Sequence, residues 1–202
     1  MNLDALIDFK NKFNFNPSTI LDIGASNGWF SNLCLQVWPD SDITMIEANP
    51  ILEESLKNTN IPYSICLLGN ENKIDVPFYI SKIDPASTGN SIYKETSEYF
   101  NDYDIKLLPM YKLDDITKFP FDFIKMDTQG SELDIIKGGK NTIDKAKYLL
   151  VEVSLIECNE GAPLKDDIVN YLKSVNFNLV DVVYSHYLDN KIVQEDVLFK
   201  HI

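Results

Sequence analysis

LDIGASNGWF, residues 21–30, joins a largely apolar run to a helix-like stretch through two glycines. A continuous apolar run before a sharp turn reads as a strand buried on both faces, and the helix after it as the first crossover of a parallel sheet. In open α/β sheets ligands bind at the carboxyl ends of the strands, where strand order reverses. Gly24 and Gly28 let the backbone turn sharply and approach a ligand closely, and the helix that starts near Gly28 aims its N–H groups at that place. The spacing is Gly-x-x-x-Gly, not the Gly-x-Gly-x-x-Gly of dinucleotide sites, and the loop has no P-loop lysine. A nucleoside carrying a carboxylate fits better than a diphosphate.

The same alternation continues outward. DITMIEA (42–48) is a second strand, PILEESLKN (50–58) a helix with Pro50 at its first position, and YSICLLG (63–69) a third strand. Residues 70–100 are less regular: VPFYISKI is extended and DPASTGNSIY turn-forming. IKLLPMYKL (105–113) reads as an extended segment that Pro109 confines to an edge. FDFIKMD (121–127) is a strand, SELDIIKGGKNTIDKA (131–146) a helix broken at Gly138-Gly139, and KYLLVEVSL (147–155) a central strand. PLKDDIVNYLKSVNF (163–177) is an amphipathic helix, and NLVDVVYSHYL with KIVQEDVLFKHI forms a closing hairpin. The pattern predicts an α/β fold with a mostly parallel sheet and helices on both faces. With no repeat, low-complexity tract or linker, a single domain over 1–202 is expected.

The composition narrows the function. A hydrophobic share of 45% supports a sizeable core, and 31 acidic against 18 basic residues, net −13, argue against a nucleic-acid surface. No apolar stretch approaches a membrane span, and the N-terminus has no signal layout. Cys34, Cys66 and Cys158 are scattered and odd in number, which suits reduced thiols in a cytoplasmic protein and no structural zinc.

Two further acids mark the same sheet edge. Glu47 ends the second strand, 23 residues after Gly24, where such folds place an acid that accepts from a ribose diol. Asp22 could hold the glycine loop or accept from a ligand ammonium. In FIKMDTQGSELDIIKGG (123–139), Lys125 and Asp127 point the same way by strand period, so each lowers the cost of burying the other. Gly130 permits a tight turn, Ser131-Glu132-Leu133-Asp134 has the form of a capping box, and Glu132 suits a first helical turn.

LDIGASNGWFS, MIEANP, YKLDDI, FIKMDTQGSELDIIKGG and LLVEVSL, in that order over residues 18–157, resemble the FkbM family of S-adenosylmethionine-dependent methyltransferases. The resemblance implies a class I methyltransferase (Rossmann-like) fold, a seven-stranded mostly parallel sheet whose last strand is antiparallel. It implies that the loop of Asp22, Gly24, Ala25, Asn27 and Gly28 holds the methionine part of S-adenosylmethionine and that Glu47 takes the ribose. Ala48 and Asn49 then flank the adenine, with Leu67, Leu68 and Gly69 on its far side, and Asp127 faces the sulfonium. Ser26, Thr128 and Ser131 depart from the family's usual Asn, Val and Ala.

The expected activity is O-methylation of a sugar, polysaccharide or glycosylated metabolite. Asp127 is expected as the general base, its charge shaped by Lys125 or Glu132. Asp127, Glu132 and Glu152 could offer oxygens to Mg2+, but tight ligand spacing is absent and no metal is expected. His186 is an alternative base, STGNSIY (87–93) a candidate substrate loop, and Tyr93, Tyr99, Tyr103 and Tyr111 candidate sugar-stacking rings. Two other readings of the fold are a nicotinamide-dependent oxidoreductase, which the missing Gly-x-Gly disfavours, and a non-catalytic binding or scaffold module.

Overall fold

The computed structural model describes residues 2–118 and 120–202, with the side chain of Tyr99 outside that description. In chain order the elements are α1 (Leu3–Phe13), β1 (Thr19–Ile23), α2 (Trp29–Val37), β2 (Asp42–Glu47), α3 (Glu53–Asn58), β3 (Tyr63–Ile65), β4 (Leu67–Gly69), β5 (Lys73–Ser81), β6 (Tyr103–Lys112), α4 (Leu113–Ile116), β7 (Phe123–Met126), α5 (Glu132–Gly138), α6 (Lys140–Ile143), β8 (Tyr148–Ser154), α7 (Lys165–Ser174), β9 (Phe177–Leu188) and β10 (Lys191–His201). Seven strands form the main sheet in the order β3-β2-β1-β7-β8-β10-β9. β1, β2, β3, β7 and β8 run parallel, while β10 is antiparallel to both β8 and β9. This is the predicted class I methyltransferase arrangement. Strand order reverses between β1 and β7, which opens a crevice at their carboxyl ends.

Alternating residues divide the core. On β1 and β7, Ile20 and Phe123 pack toward α1 and α2 with Leu6, Phe9, Phe30 and Leu33. Leu21, Ile23, Ile124 and Met126 pack the other way against α5 and α7, with Leu133, Ile136, Ile168 and Leu172. Both faces are covered, which is why these strands read as continuous apolar runs. Asp22 and Lys125, paired in register, fall on the α2 face. The hairpin turns through Asp189 and Asn190, both left-handed (φ 48° and 61°), the geometry of a two-residue turn between twisted strands.

Three local expectations need correction. The 63–69 strand is broken: Cys66 still donates to the Glu47 carbonyl (2.7 Å), but Leu67–Gly69 leaves the main sheet to pair with β6. Pro109 does not confine its strand to an edge, because β6 is the middle strand of a small sheet ordered β4-β6-β5. Pro109 sits where the β5 register slips between Lys73 and Val76, at a bulge that includes Asp75 (φ 58°), so no ladder donor is needed there. The 50–58 helix opens with a 3-10 turn, Pro50–Leu52, before α3. The predicted break at Gly138-Gly139 stands, and packing requires the first glycine: a Cβ on Gly138 would lie 2.0 Å from the Gly69 carbonyl oxygen. Among the described residues, no helix is long and apolar enough to cross a membrane.

Candidate active site

The loop after β1 crosses the end of β2. The Gly24 and Ala25 N–H groups both donate to the Ile46 carbonyl (2.9 and 3.1 Å), and the Ser26 N–H donates to Glu47 Oε2 (2.8 Å). Glu47 Oε1 accepts from the Asn49 N–H (2.8 Å), so backbone donors anchor both oxygens. Burial pushes the Glu47 carboxyl above its ordinary value, against the pull of those backbone donors.

Beneath the loop lies Lys125. Its Nζ donates to the Gly24 carbonyl (3.1 Å), lies 3.4 Å from both Asp22 Oδ1 and Asp127 Oδ2, and sits 5.4 Å from the centre of the Phe30 ring. Burial alone would lower the ammonium's pKa, but Asp127, Asp22 and Glu152 outweigh it and hold the group above its ordinary value. Asp22 is fully buried, and its Oδ2 accepts from the Ser31 hydroxyl (2.7 Å). It therefore braces Lys125 and α2 and is out of reach of a ligand ammonium, contrary to one expectation.

The Asp127–Ser131 turn carries the next group. Gln129, left-handed at φ 55°, donates from its amide to Asp127 Oδ1 (3.0 Å) and to Glu152 Oε2 (2.7 Å), while Gln194 also donates to Glu152 Oε2 (3.0 Å). The predicted capping box does not form: Ser131 makes no side-chain cap, and Asp134 instead accepts from Tyr93 (2.7 Å) and Asn70 (3.0 Å). Glu132 reaches back to the turn, accepting from the N–H groups of Thr128 (2.7 Å) and Gly130 (3.0 Å) and from the Thr128 hydroxyl (3.0 Å). It does not line the cavity, so its part is to position the turn. Burial raises the carboxyl pKa of Glu132, and raises that of Glu152 well above its ordinary value, where Asp127, Glu132 and Asp196 add to the effect.

These groups converge on one cavity of about 340 Å³. Of the residues named from the sequence, Gly24, Ala25, Asn27, Glu47, Ala48, Leu67, Leu68, Lys125 and Asp127 line it. Asn49 and Gly69 do not; Asn49 ties its amide to the Pro85 carbonyl (2.8 Å), and Gly69 makes room for Met110. Gly28 (φ 79°) also lies behind the wall, where a Cβ would meet Thr59 at 2.7 Å. The 87–93 loop does reach the cavity, through Ser87, Thr88, Asn90, Ser91 and Ile92, and the Ser91 hydroxyl ties it to the Gln129 carbonyl (2.8 Å). Of the candidate stacking rings, Tyr93, Tyr103 and Tyr111 do not line it: Tyr93 is held by Asp134 and Tyr103 packs on Tyr79 (5.4 Å); the Tyr99 side chain lies outside the described residues.

His186 lines the cavity together with Glu152 and Asp196. The suggested metal set of Asp127, Glu132 and Glu152 is not assembled, because Glu132 is spent on the turn. Asp196, Trp29, Phe78 and Gln129 were not anticipated. A signal existed for Asp196 alone: Gln194-Glu195-Asp196 separates Ile192-Val193 from Val197-Leu198-Phe199, and both acids are buried.

A family profile described as the methyltransferase FkbM domain matches residues 22–179. A methyltransferase FkbM from Methylobacillus flagellatus superposes with a TM-score of 0.60 at 20% identity, over 91% of this chain and 43% of its own. This chain thus spans less than half of that protein. An S-adenosylmethionine-dependent methyltransferase from Clostridium acetobutylicum superposes at 0.58 with 10% identity, covering 98% of this chain and 90% of that one. A putative RNA methyltransferase from Pyrococcus horikoshii reaches 0.52 at 9% identity, covering 99% and 84%. No curated protein matches the sequence.

Proposed function

The chain belongs to the FkbM methyltransferase family, and on that premise we propose that it methylates a hydroxyl of a sugar, polysaccharide or glycosylated metabolite. S-adenosylmethionine supplies an electrophilic methyl group on a positively charged sulfur. The observation that carries the reading is the cavity that brings the Gly24–Asn27 loop, Glu47 and Asp127 to one rim. Its residues fit the cofactor: Glu47 presents a backbone-anchored carboxyl to the cavity for a ribose diol, and Ala48, Leu67 and Leu68 offer apolar wall for an adenine. Four carboxyl groups, those of Glu47, Asp127, Glu152 and Asp196, face the cavity, an acidic lining that suits a sulfonium.

A hydroxyl is a weak nucleophile until its proton is shared. Asp127 is the proposed acceptor of that proton. Lys125 and Gln129 fix its two oxygens from below and beside, and Glu132 holds the turn that carries it. Ser87, Thr88 and Asn90 give the opposite wall the polar character that a polyol acceptor requires. The net charge of −13 and the acidic rim weigh against a nucleic-acid acceptor.

Calorimetric titration with S-adenosylmethionine and S-adenosylhomocysteine, with NAD as control, tests the reading. Micromolar binding of both sulfur ligands, lost in Glu47→Ala, is expected and leads to a screen of sugar acceptors. Binding of neither would leave the scaffold reading in front.

A further inference from the structure

We propose that Glu152, His186 and Asp196 form a site for one divalent cation of mixed nitrogen and oxygen preference, for which Mn2+ is the probe. Asp196 stands directly opposite Glu152 across the β8–β10 ladder, and both are buried. That relation puts a carboxylate oxygen of each strand at the same end of the cavity. His186 comes in diagonally from β9, where it registers with Gln194, two residues from Asp196. Its Nε2 points into the pair, 3.6 Å from Glu152 Oε1 and 3.7 Å from Asp196 Oδ2, and this buried atom makes no hydrogen bond.

The three donor atoms lie within 4.8 Å of one another. Ligands about 2.0–2.2 Å from one ion stand roughly 3.0–3.6 Å apart, so small side-chain rotations close the set. The surroundings are those of ligating carboxylates, which are themselves oriented by hydrogen bonds. The amides of Gln129 and Gln194 both hold Glu152 Oε2 and leave Oε1 turned toward His186. One imidazole with two carboxylates favours Mn2+, Fe2+ or Zn2+ over Mg2+ and Ca2+, which prefer oxygen throughout.

All three residues line the cavity, which leaves positions on the ion open to an acceptor. Coordination there would orient a hydroxyl and lower its pKa before Asp127 takes the proton. This role rests on the methyl-transfer reading; the cation site does not.

Mn2+ titration of the metal-free full chain, with free Mn2+ followed by electron paramagnetic resonance, tests the site, and S-adenosylhomocysteine titration is run in parallel. One Mn2+ per chain is expected, weakened about 10- to 100-fold in His186→Ala and in Glu152→Gln, and also weakened in Gln129→Ala, whose side chain acts through Glu152. Absence of Mn2+ binding, or binding equal in all variants, would overturn the site. Mn2+ binding without S-adenosylhomocysteine binding would keep the site and sink the methyl-transfer reading.

Discussion

Gly24 and Asp127 press together where β1 and β7 end: a Cβ on Gly24 would stand 1.9 Å from the Asp127 carbonyl oxygen. Gly24 is also left-handed, at φ 73°. The ligand loop and the strand that carries the proposed base are therefore fixed to each other by one missing side chain. Gly24→Ala should cost about 1–3 kcal/mol from the backbone conformation alone, with the clash added. Denaturant unfolding will show the loss, and calorimetry should show S-adenosylhomocysteine affinity falling with it. A variant that binds normally would mean that the loop is not the cofactor cradle.

Lys125→Met leaves the Asp22 carboxylate buried without its cation. A loss of about 3–5 kcal/mol is expected, as when one partner of a buried pair is removed. Adding Asp22→Asn should recover much of it, because the orphaned charge is gone. If the double variant is as unstable as the single one, the ammonium's other contacts carry the effect.

Asp127→Asn keeps the shape and removes the base. Turnover should fall about 10²–10⁴-fold while S-adenosylhomocysteine affinity changes little. Undiminished turnover would remove Asp127 from the proton transfer.

Glu132 carries a pH signature. Burial raises its pKa, so above the ordinary 4.5 the native state keeps a proton that the unfolded state has lost. The native state then binds more protons, and stability falls as pH rises through that interval, by at most about 1.4 kcal/mol per pH unit. Glu132→Gln lacks this slope, so the wild type's advantage over the variant should narrow from pH 4.5 upward. Unfolding curves in which the advantage widens would contradict the assignment.

Cys66 lines the cavity, and burial pushes its thiol up to about 11. Its alkylation by iodoacetamide at neutral pH should be slow, and slower still with S-adenosylhomocysteine bound, as mass spectrometry of the modified peptide can show. Equal rates with and without the ligand would place the ligand elsewhere.

The parts of the site that could be read from the sequence are those where local chemistry and strand ends coincide. Gly24, Glu47 and Asp127 each close a buried strand, and a strand's carboxyl end is visible in its pattern. Of the two roles open to Asp22, holding the loop is the one its surroundings suit, because one pleat further back the same face points under α2, to Ser31 and to the Lys125 that binds the Gly24 carbonyl. Gly28, Asn49 and Gly69 each follow a lining residue in sequence but lie behind the wall in space. The break at Cys66 left no mark in an unbroken apolar run, since only pairing with β6, more than forty residues later, pulls Leu67–Gly69 away. Glu152, His186 and Asp196 come together through the registers of three strands, which no local pattern encodes.

β10 lies between β8 and β9 although it is made after both. During synthesis β9 leaves the ribosome with no place in the sheet, while the edge of β8 stays open until β10 arrives to fill it. A nascent chain that has reached residue 190 thus shows a buried-type apolar edge to other nascent chains, the kind of surface that invites intermolecular pairing. Chaperone demand should peak over that interval and end once Val197, Leu198 and Phe199, all fully buried in the finished fold, have emerged and paired with β8.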